Sequence, residues 1–475
     1  MGGTSSQTMN SKYAWREVAR QGLPRRSASQ RAADFLEIYG LWDEATAREQ
    51  ASRCILCPNP SCVSGCPLCN PIPEWMQLTA EGRFLEAAAV LGSATNMAEI
   101  CTRLCPSDHL CEGACLLDSV SESVSIRALE QFLIDYAFAH GQTNTFTAPP
   151  NGKKVAIVGS GPGGLACAEE LAREGYSVTI FDSELVPGGL LVNGVAAFKL
   201  DQSILQRRID LLQKCGVIFR VGLKLWEDLS LAQLRAEFKS VFLCSDWRKA
   251  RPLQIPGAEL KGVIQAVPFL LQKKTPIPLE LPKFDVAGKR VIVLGGGDTA
   301  IDCLRAAIRY GARDAVCVYR REESEMPCGH QEFRCAVEEG ASFVFRAAPV
   351  AILGDDGGQV TALRAVRTEP GPIDDAGRQS FRLRSGTEFF IEADWVIAAL
   401  GFDALSWPRT GGFGGLTLTD WGGIAVDNNQ MTSVPGVFAG GDVVHGPSPL
   451  LHTVRDGRQA ARQIHAYLKL ETGAS

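Results

Sequence analysis

Two kinds of periodicity divide the chain. Up to about residue 140 the apolar positions recur at helical spacing, most clearly in "IPEWMQLTAEGRFLEAAAVL" and "SIRALEQFLIDYAFAH". A more polar stretch with helical portions, "SQRAADFLEIYGLWDEATAREQASR", precedes them. "GQTNTFTAPPNG" carries turn formers and prolines without periodicity and reads as a linker. Beyond it the pattern changes to short apolar runs, each followed by a glycine-rich turn and a helix. "KKVAIVGSGPGGLACAEELAREGYSVTIFDSE" spells strand, turn, helix, strand, and "KRVIVLGGGDTAIDCLRAAIRYGARDAVCVYRRE" repeats the form. Shorter strand-like runs follow, ending in "GVFAGGDVVHG" and a helix from about Leu451.

At 475 residues the chain has room for about two to four domains. A formal net charge of −5 gives no electrostatic case for nucleic acid or an anionic membrane. No apolar run approaches the roughly 18 residues of a membrane span, and the N-terminus lacks the basic-then-apolar order of an export signal. "MGGTSS" matches the loose myristoylation pattern, but so permissive a match reads better as a flexible tail. A cytoplasmic location is expected.

Nine of the sixteen cysteines fall between residues 54 and 115; the rest are scattered singly, as small buried hydrophobes are. A disulfide framework would be short and exported. The first block is Cys54-x2-Cys57-x4-Cys62-x3-Cys66, the second Cys101-x3-Cys105-x5-Cys111-x3-Cys115. Zinc sites pair C-x2-C with a second such pair or with histidines, whereas only one gap here is x2 and His109 is the sole histidine of the region. Close thiolates with Pro after Cys57, Cys66 and Cys105 suit an iron–sulfur cluster better, zinc and inert thiols being the alternatives. Glu130 lies beside the apolar stripe of its helix, four residues after Ile126 and three before Leu133. It is either a carboxylate reaching to water or a ligand for a cluster one thiolate short.

Gly159-Ser-Gly161-Pro-Gly-Gly164 follows the run "KVAIV" and opens a helix. In such a turn the first glycine allows the tight bend, the second lets backbone approach a pyrophosphate, and the third permits close helix–strand packing. Asp182 ends the next strand, where a carboxylate suits a ribose hydroxyl. The second turn centres on Gly295, Gly296 and Gly297, with Asp298 and Thr299 opening its helix and Ala300 in place of a third glycine. Its following strand ends in Arg320-Arg321 rather than an acid, which favours a 2′-phosphate and hence NADPH over NADH; solvated arginines are the plainer alternative. Two such units imply two nucleotides, a flavin and a nicotinamide. "GVFAGGDVVHG" fits the flavin half, with Gly441 and Asp442 near the ribityl chain and Thr453 on the helix whose N-terminus faces the ring; a turn-capping Asp442 and a helix-terminal Thr453 hydroxyl are the plainer alternatives.

With these residues in place, the chain resembles, along nearly its whole length, the small (β) subunits of bacterial NADPH-dependent glutamate synthases. The resemblance is carried by "SRCILCPNPSCVSGCPLCNPIPEWMQL", "EICTRLCPSDHLCEGACLL", "VGSGPGGLA", "PGGLL", "VIVLGGGDTAIDCLR", "YRREESEMP" and "FAGGDVVHG". The same ordered set occurs in the flavin halves of dihydropyrimidine dehydrogenase and of NADH-dependent ferredoxin:NADP oxidoreductase. It implies an α/β fold: a helical N-terminal iron–sulfur domain followed by two nested Rossmann-like nucleotide-binding domains. The expected divisions are 1–145, 151–255 with 395–475 for FAD, and 256–394 for NADPH. Two [4Fe–4S] clusters are implied, one on Cys54, Cys57, Cys62 and Cys115 and one on Cys66, Cys105, Cys111 and Glu130, a position where relatives carry Glu or Gln. Cys101 matches a family cysteine that is not a ligand, and Cys69 is extra. Gly189 and Leu190 of "PGGLL" are implied to touch the flavin.

The activity implied is electron input: NADPH reduces FAD, and the clusters carry electrons to a large glutamate synthase subunit that converts glutamine and 2-oxoglutarate to glutamate. No acid–base residue is expected, because hydride transfer needs stacking and orientation. The chain is not expected to make glutamate alone, since Gly2 follows Met1 where an amidotransferase of that type exposes a cysteine. Electron transfer to ferredoxin or another acceptor is the second reading. The third is a scaffold with impaired turnover, prompted by two departures. Relatives have a glycine-containing turn at Ser245-Asp246-Trp247 and a proline-containing one at Ala196-Ala197.

Overall fold

The computed structural model describes residues 11–142, 146, 148–245, 248–272, 283–373, 379–404 and 415–473. "MGGTSS" and the departure at Asp246 and Trp247 lie outside them.

The N-terminal part is helical. Helix Glu44–Ala51 is capped by Asp43, whose carboxylate accepts from Thr46 N at 2.7 Å. Helices Ile72–Ala80, Phe84–Ala94 and Ile126–Ala139 turn their apolar faces inward onto Trp75, Met76, Leu91, Leu129 and Leu133, all buried. Phe84 meets Phe132 edge-on, centroids 5.1 Å apart. Most of the nine N-terminal cysteines sit in the segments that follow Glu44–Ala51 and Ala98–Leu104; Cys62 lies in the short helix Ser61–Ser64 and Cys101 within Ala98–Leu104. Loops there leave main-chain N–H groups free to approach sulfur, which helix interiors do not.

The first sheet has five parallel strands in the order Val437–Ala439, Ser240–Leu243, Lys154–Val158, Ser177–Phe181, Ile218–Arg220. Val155 to Val158 and all of Ser240–Leu243 are buried, as strands covered on both faces must be. The second sheet, also parallel, runs Val263–Gln265, Trp395–Ala398, Arg290–Leu294, Asp314–Val318, Ser342–Val344. This moves the expected boundary at 395. Trp395–Ala398 pairs with Val291–Leu294 and Val263–Gln265, so the chain returns to the first unit only after residue 398. Four buried or half-buried apolar residues read alike in either sheet, and only the pairing tells them apart.

The outgoing and returning chains lie together as an antiparallel pair, Arg248–Ala250 with Phe402–Ala404. An antiparallel three-stranded sheet, Ala347–Gly354, Val360–Ile373 and Gln379–Glu392, attaches to the second unit. The last helix, Leu450–Gly473, crosses helix Pro162–Arg173 so closely that a Cβ on Gly457 would stand 2.1 Å from Gly163 O.

Buried ion pairs tie the helical part to both units. Arg208 lies between Glu99 (Nε–Oε1 2.6 Å) and Glu169, joining helix Ala98–Leu104 to helices Gln202–Lys214 and Pro162–Arg173. Arg31 Nη1 reaches Glu339 Oε1 at 2.9 Å in helix His330–Glu339, and Arg305 holds the same carboxylate through Nε at 2.9 Å.

Candidate nucleotide and iron–sulfur sites

The two glycine-rich turns assign a separate task to each glycine. Gly159 has φ +106°, and a Cβ there would meet Cys244 O at 2.4 Å. A Cβ on Gly164 would stand 1.9 Å from Gly159 O, so only glycine lets the helix seat on the strand. Gly161 faces open space with nothing within 4 Å. The second turn repeats this: Gly295 at φ +139° sits against Ala399 O, Gly297 faces open space, and buried Ala300 takes the packing position. Gly296 is pressed against the Tyr319 ring. Each turn thus ends at a helix N-terminus with one open glycine, the cradle a pyrophosphate requires.

Around the first turn the other expected flavin residues converge. Gly189, at φ +54°, packs backbone to backbone on Gly161, where a Cβ would come within 3.0 Å of Gly161 Cα. Leu190 begins the short helix behind it. Gly441, at φ +71°, lies beneath the Thr453 methyl, and the same methyl touches the position of Gly163. Asp442 Oδ1 accepts from Ser448 N at 3.3 Å and Ser448 Oγ at 3.2 Å. Asp182 faces the turn: Oδ2 accepts from Ser160 N at 2.7 Å and from Ser160 Oγ, and Oδ1 accepts from Glu184 N at 2.9 Å. Ser160 Oγ in turn accepts from Gly188 N at 2.7 Å.

Sequence reasoning passed over Ser160, which occupies a variable position of the motif yet fastens both loops. It also passed over buried Asp456, which accepts from Gly441 N at 3.0 Å and pairs with His445 at 3.1 Å. Ala196 and Ala197 still make a turn without proline, since Ala196 O accepts from Lys199 N at 3.0 Å. That turn delivers Lys199 to Asp302 of the second unit, Nζ–Oδ1 3.1 Å.

Beside the second turn, Asp298 Oδ1 accepts from Gly329 N at 3.2 Å and Thr299 is half-buried in the first helical turn. Arg320 is exposed and its guanidinium lies over the Phe381 ring at 4.8 Å. Burial, and then the neighbouring Arg321 charge, push the Arg320 guanidinium below its ordinary value. Arg321 Nε is buried and, among the described residues, has no hydrogen-bond partner; Glu325 stands 3.9 Å away. Two adjacent guanidiniums, one with an unused donor, fit an anionic phosphate.

The cysteines separate into two groups. Cys54, Cys57, Cys62 and Cys115 all line one largely apolar cavity, with Ile55, Ile72, Met76 and Leu117 also on its wall. Burial pushes the Cys54 thiol up to about 11 and Cys62 up to about 12, and the neighbouring thiols add to both rises. Cys66 and Cys111 are buried and Cys105 is half-buried; burial raises all three thiols, and the Glu130 carboxylate raises them further. Glu130 is half-buried and its carboxylate is turned toward Asn70. Its Oε1 accepts from Asn70 Nδ2 at 2.6 Å, and burial pushes its carboxyl up to about 8. Trp75 Nε1 donates to Asn70 Oδ1 at 3.0 Å. Asn70 and Trp75 stand in a quoted motif, but nothing in their spacing announces the contact. Cys101 is buried beside Thr95, and Cys69 is exposed; neither lines the cavity. Among the described residues no three His, Cys, Asp or Glu side chains are grouped as a single metal ion requires. Soft thiols spread around an apolar space fit a larger inorganic core.

Known proteins resemble the chain along nearly its whole length. Residues 31–142 match the family model described as dihydropyrimidine dehydrogenase domain II, 4Fe–4S cluster, and residues 153–462 match pyridine nucleotide-disulphide oxidoreductase. The glutamate synthase [NADPH] small chain of Azospirillum brasilense is 41% identical over 96% of this chain and 96% of its own length. That of Escherichia coli is 36% identical over 96% and 99%. The putative oxidoreductase UacF of Escherichia coli is 39% identical over 94% of this chain and 71% of its own length. Among solved structures, Mycobacterium tuberculosis FprA in complex with NADPH superposes with a TM-score of 0.57 at 21% identity, covering 69% of this chain and 86% of that one; the likeness concerns the fold. Among the described residues no helix is long and apolar enough to cross a membrane. Two family models and relatives matching end to end lead to one conclusion: the chain belongs to the glutamate synthase small-chain family of pyridine nucleotide-disulphide oxidoreductases carrying an iron–sulfur domain.

Proposed function

We propose that the chain is the electron-input subunit of an NADPH-dependent glutamate synthase, with FAD on the first turn, NADPH on the second and two [4Fe–4S] clusters on the cysteine groups. It would deliver electrons to a large subunit that makes glutamate from glutamine and 2-oxoglutarate, in the cytoplasm. The observation that carries the reading is the cavity lined by Cys54, Cys57, Cys62 and Cys115, four thiols from segments more than fifty residues apart. Residues up to about 145 form the cluster domain, 151–255 with 399–475 the FAD domain, and 256–398 the NADPH domain.

When bound, a flavin would supply hydride acceptance and iron–sulfur clusters would supply one-electron transfer; that chemistry belongs to the cofactors. The protein positions them. Gly161 and Gly297 leave room for pyrophosphate at helix N-termini, and Gly189, Gly441 and Thr453, packed around the first turn, would border the flavin. Arg320 and Arg321 supply the charge for a 2′-phosphate. Cys66 shares a buried cluster with Ile157, Leu165 and Val454 of the first unit and Cys105 packs against it, whereas Cys111, like Cys54, Cys62 and Cys115, packs on the helical core. A cluster held at the Cys66 group would therefore lie nearer to a flavin on the first turn, and one held at the cavity group would stand as the exit. Exposed Leu56 and Leu116 adjoin that exit.

Anaerobic purification tests the reading: about eight irons per chain, one flavin and bleaching by NADPH are expected. A yellow protein without iron overturns it. The kinship with UacF, a putative oxidoreductase, favours a second reading in which another acceptor protein takes the electrons. Co-purification of a glutaminase-bearing large subunit from the native host selects the first.

A further inference from the structure

Asn70 is buried between two groups that each dictate its orientation. Indole nitrogen only donates, so the atom facing Trp75 Nε1 at 3.0 Å must be the amide oxygen. Asn70 Nδ2 then necessarily points the other way, 2.6 Å from Glu130 Oε1. Amide nitrogen also only donates, so residue 130 must offer Asn70 an acceptor. The backbone N–H groups of Leu68 and Asn70 are meanwhile directed at the Cys66 sulfur. One residue thus addresses two members of the same ligand group.

We propose that Asn70, held by Trp75, is a positioning residue that selects glutamate over glutamine at position 130 and presents one Glu130 oxygen to the cluster. The inference rests on the reading that Cys66, Cys105, Cys111 and Glu130 hold a cluster. A carboxylate satisfies Asn70 with Oε1 and keeps Oε2 for iron. Glutamine has a single oxygen and could serve both only by sharing that atom between iron and the Asn70 NH2, whereas the carboxylate gives each its own oxygen. With its oxygen toward Asn70 its NH2 faces the iron, and an amide NH2 has no lone pair to give. With its oxygen toward iron, two NH2 groups confront each other in a buried place, where an unmet donor is costly. Turning Asn70 over relieves that clash only by setting its NH2 against the indole N–H. Trp75 therefore makes the choice at position 130 through one intervening side chain.

The test uses the full chain, purified anaerobically and reconstituted with iron and sulfide, with iron content and EPR spectra of the oxidised and reduced forms as readouts. Glu130→Gln should lose the second cluster, about four irons per chain, or convert it to a three-iron species. The signal of the cavity group should persist and report that the helical domain is folded. Two second changes should restore the four-iron signal. In Asn70→Asp with Glu130→Gln, the introduced carboxylate accepts from both Trp75 and the new amide. In Trp75→Phe with Glu130→Gln, Asn70 is free to turn its oxygen toward the glutamine. A Glu130→Gln protein with the wild-type iron content and spectrum overturns the inference, as does failure of both double variants to restore the signal. If the wild type itself carries one cluster and about four irons, the ligand reading fails instead, which is a separate result.

Discussion

Lys199 Nζ stands 3.1 Å from Asp302 Oδ1, so a residue leading out of the flavin-side loops is paired with the helix that begins at the second nucleotide turn. Both side chains are largely buried, and Glu332 lies 3.6 Å from the same ammonium. Burial pushes the Asp302 carboxyl up to about 6; Lys199 and Arg305 oppose that rise, and Glu332 and Asp298 add to it. Lys199→Met removes the nearest opposing charge, so the Asp302 value rises further. An acid whose folded value lies above its unfolded one stabilises at low pH, and that contribution disappears as pH rises through the folded value. The variant should therefore lose about 3–5 kcal/mol at pH 8 and distinctly less at pH 5. Thermal melts of both proteins across that range check it, and an equal loss at both ends contradicts it.

The two glycines of the first turn should fail in different ways. Gly164→Ala forces a Cβ to within 1.9 Å of Gly159 O and should destabilise the fold by about 1–3 kcal/mol. Gly161→Ala meets no protein atom within 4 Å, so it should melt like wild type yet retain less flavin. Melting temperature and flavin absorbance, measured on the same samples, separate the two.

Arg320 and Arg321 should set the choice of nicotinamide. Replacing both with Ala is expected to raise KM for NADPH about 10- to 100-fold per lost charged hydrogen bond and to leave KM for NADH nearly unchanged. Anaerobic flavin reduction by each nucleotide reads this directly. Equal effects on the two would locate the 2′-phosphate elsewhere.

The cysteines should divide by position rather than by reactivity. Cys111→Ser should cost about four irons per chain, while Cys69→Ser, at an exposed site off the cavity wall, should cost none. Iron loss from Cys69→Ser would redraw the ligand groups.

The parts legible in the sequence are those where local chemistry alone forces a residue type. A glycine at φ +106°, or one whose Cβ would stand 1.9 Å from a carbonyl oxygen, leaves a fixed spacing behind, so both turns stand out from the residues alone. The Arg320-Arg321 pair is readable because it ends a strand at a set distance from its turn. What escapes depends on pairing between distant segments. Trp395–Ala398 has nothing in its composition to assign it to one parallel sheet over another. Asn70 and Glu130 are sixty residues apart, and Lys199 and Asp302 more than a hundred; neither contact leaves a periodic trace. Asp182 is legible as a residue but its partner is not, because a variable serine inside the motif takes up its oxygen.

Cys66 and Cys101 belong to the same apolar cluster as Ile157, Leu165 and Val454, so the helical body and the first sheet share an interior instead of meeting at a boundary. Neither can swing or dissociate without wetting the other. For a cluster held at the Cys66 group as proposed, the electron hop from a flavin on the first turn would therefore cross a fixed distance. Thickening the solvent should leave that hop unslowed, and any gating of current must occur where nucleotide arrives or where the acceptor docks.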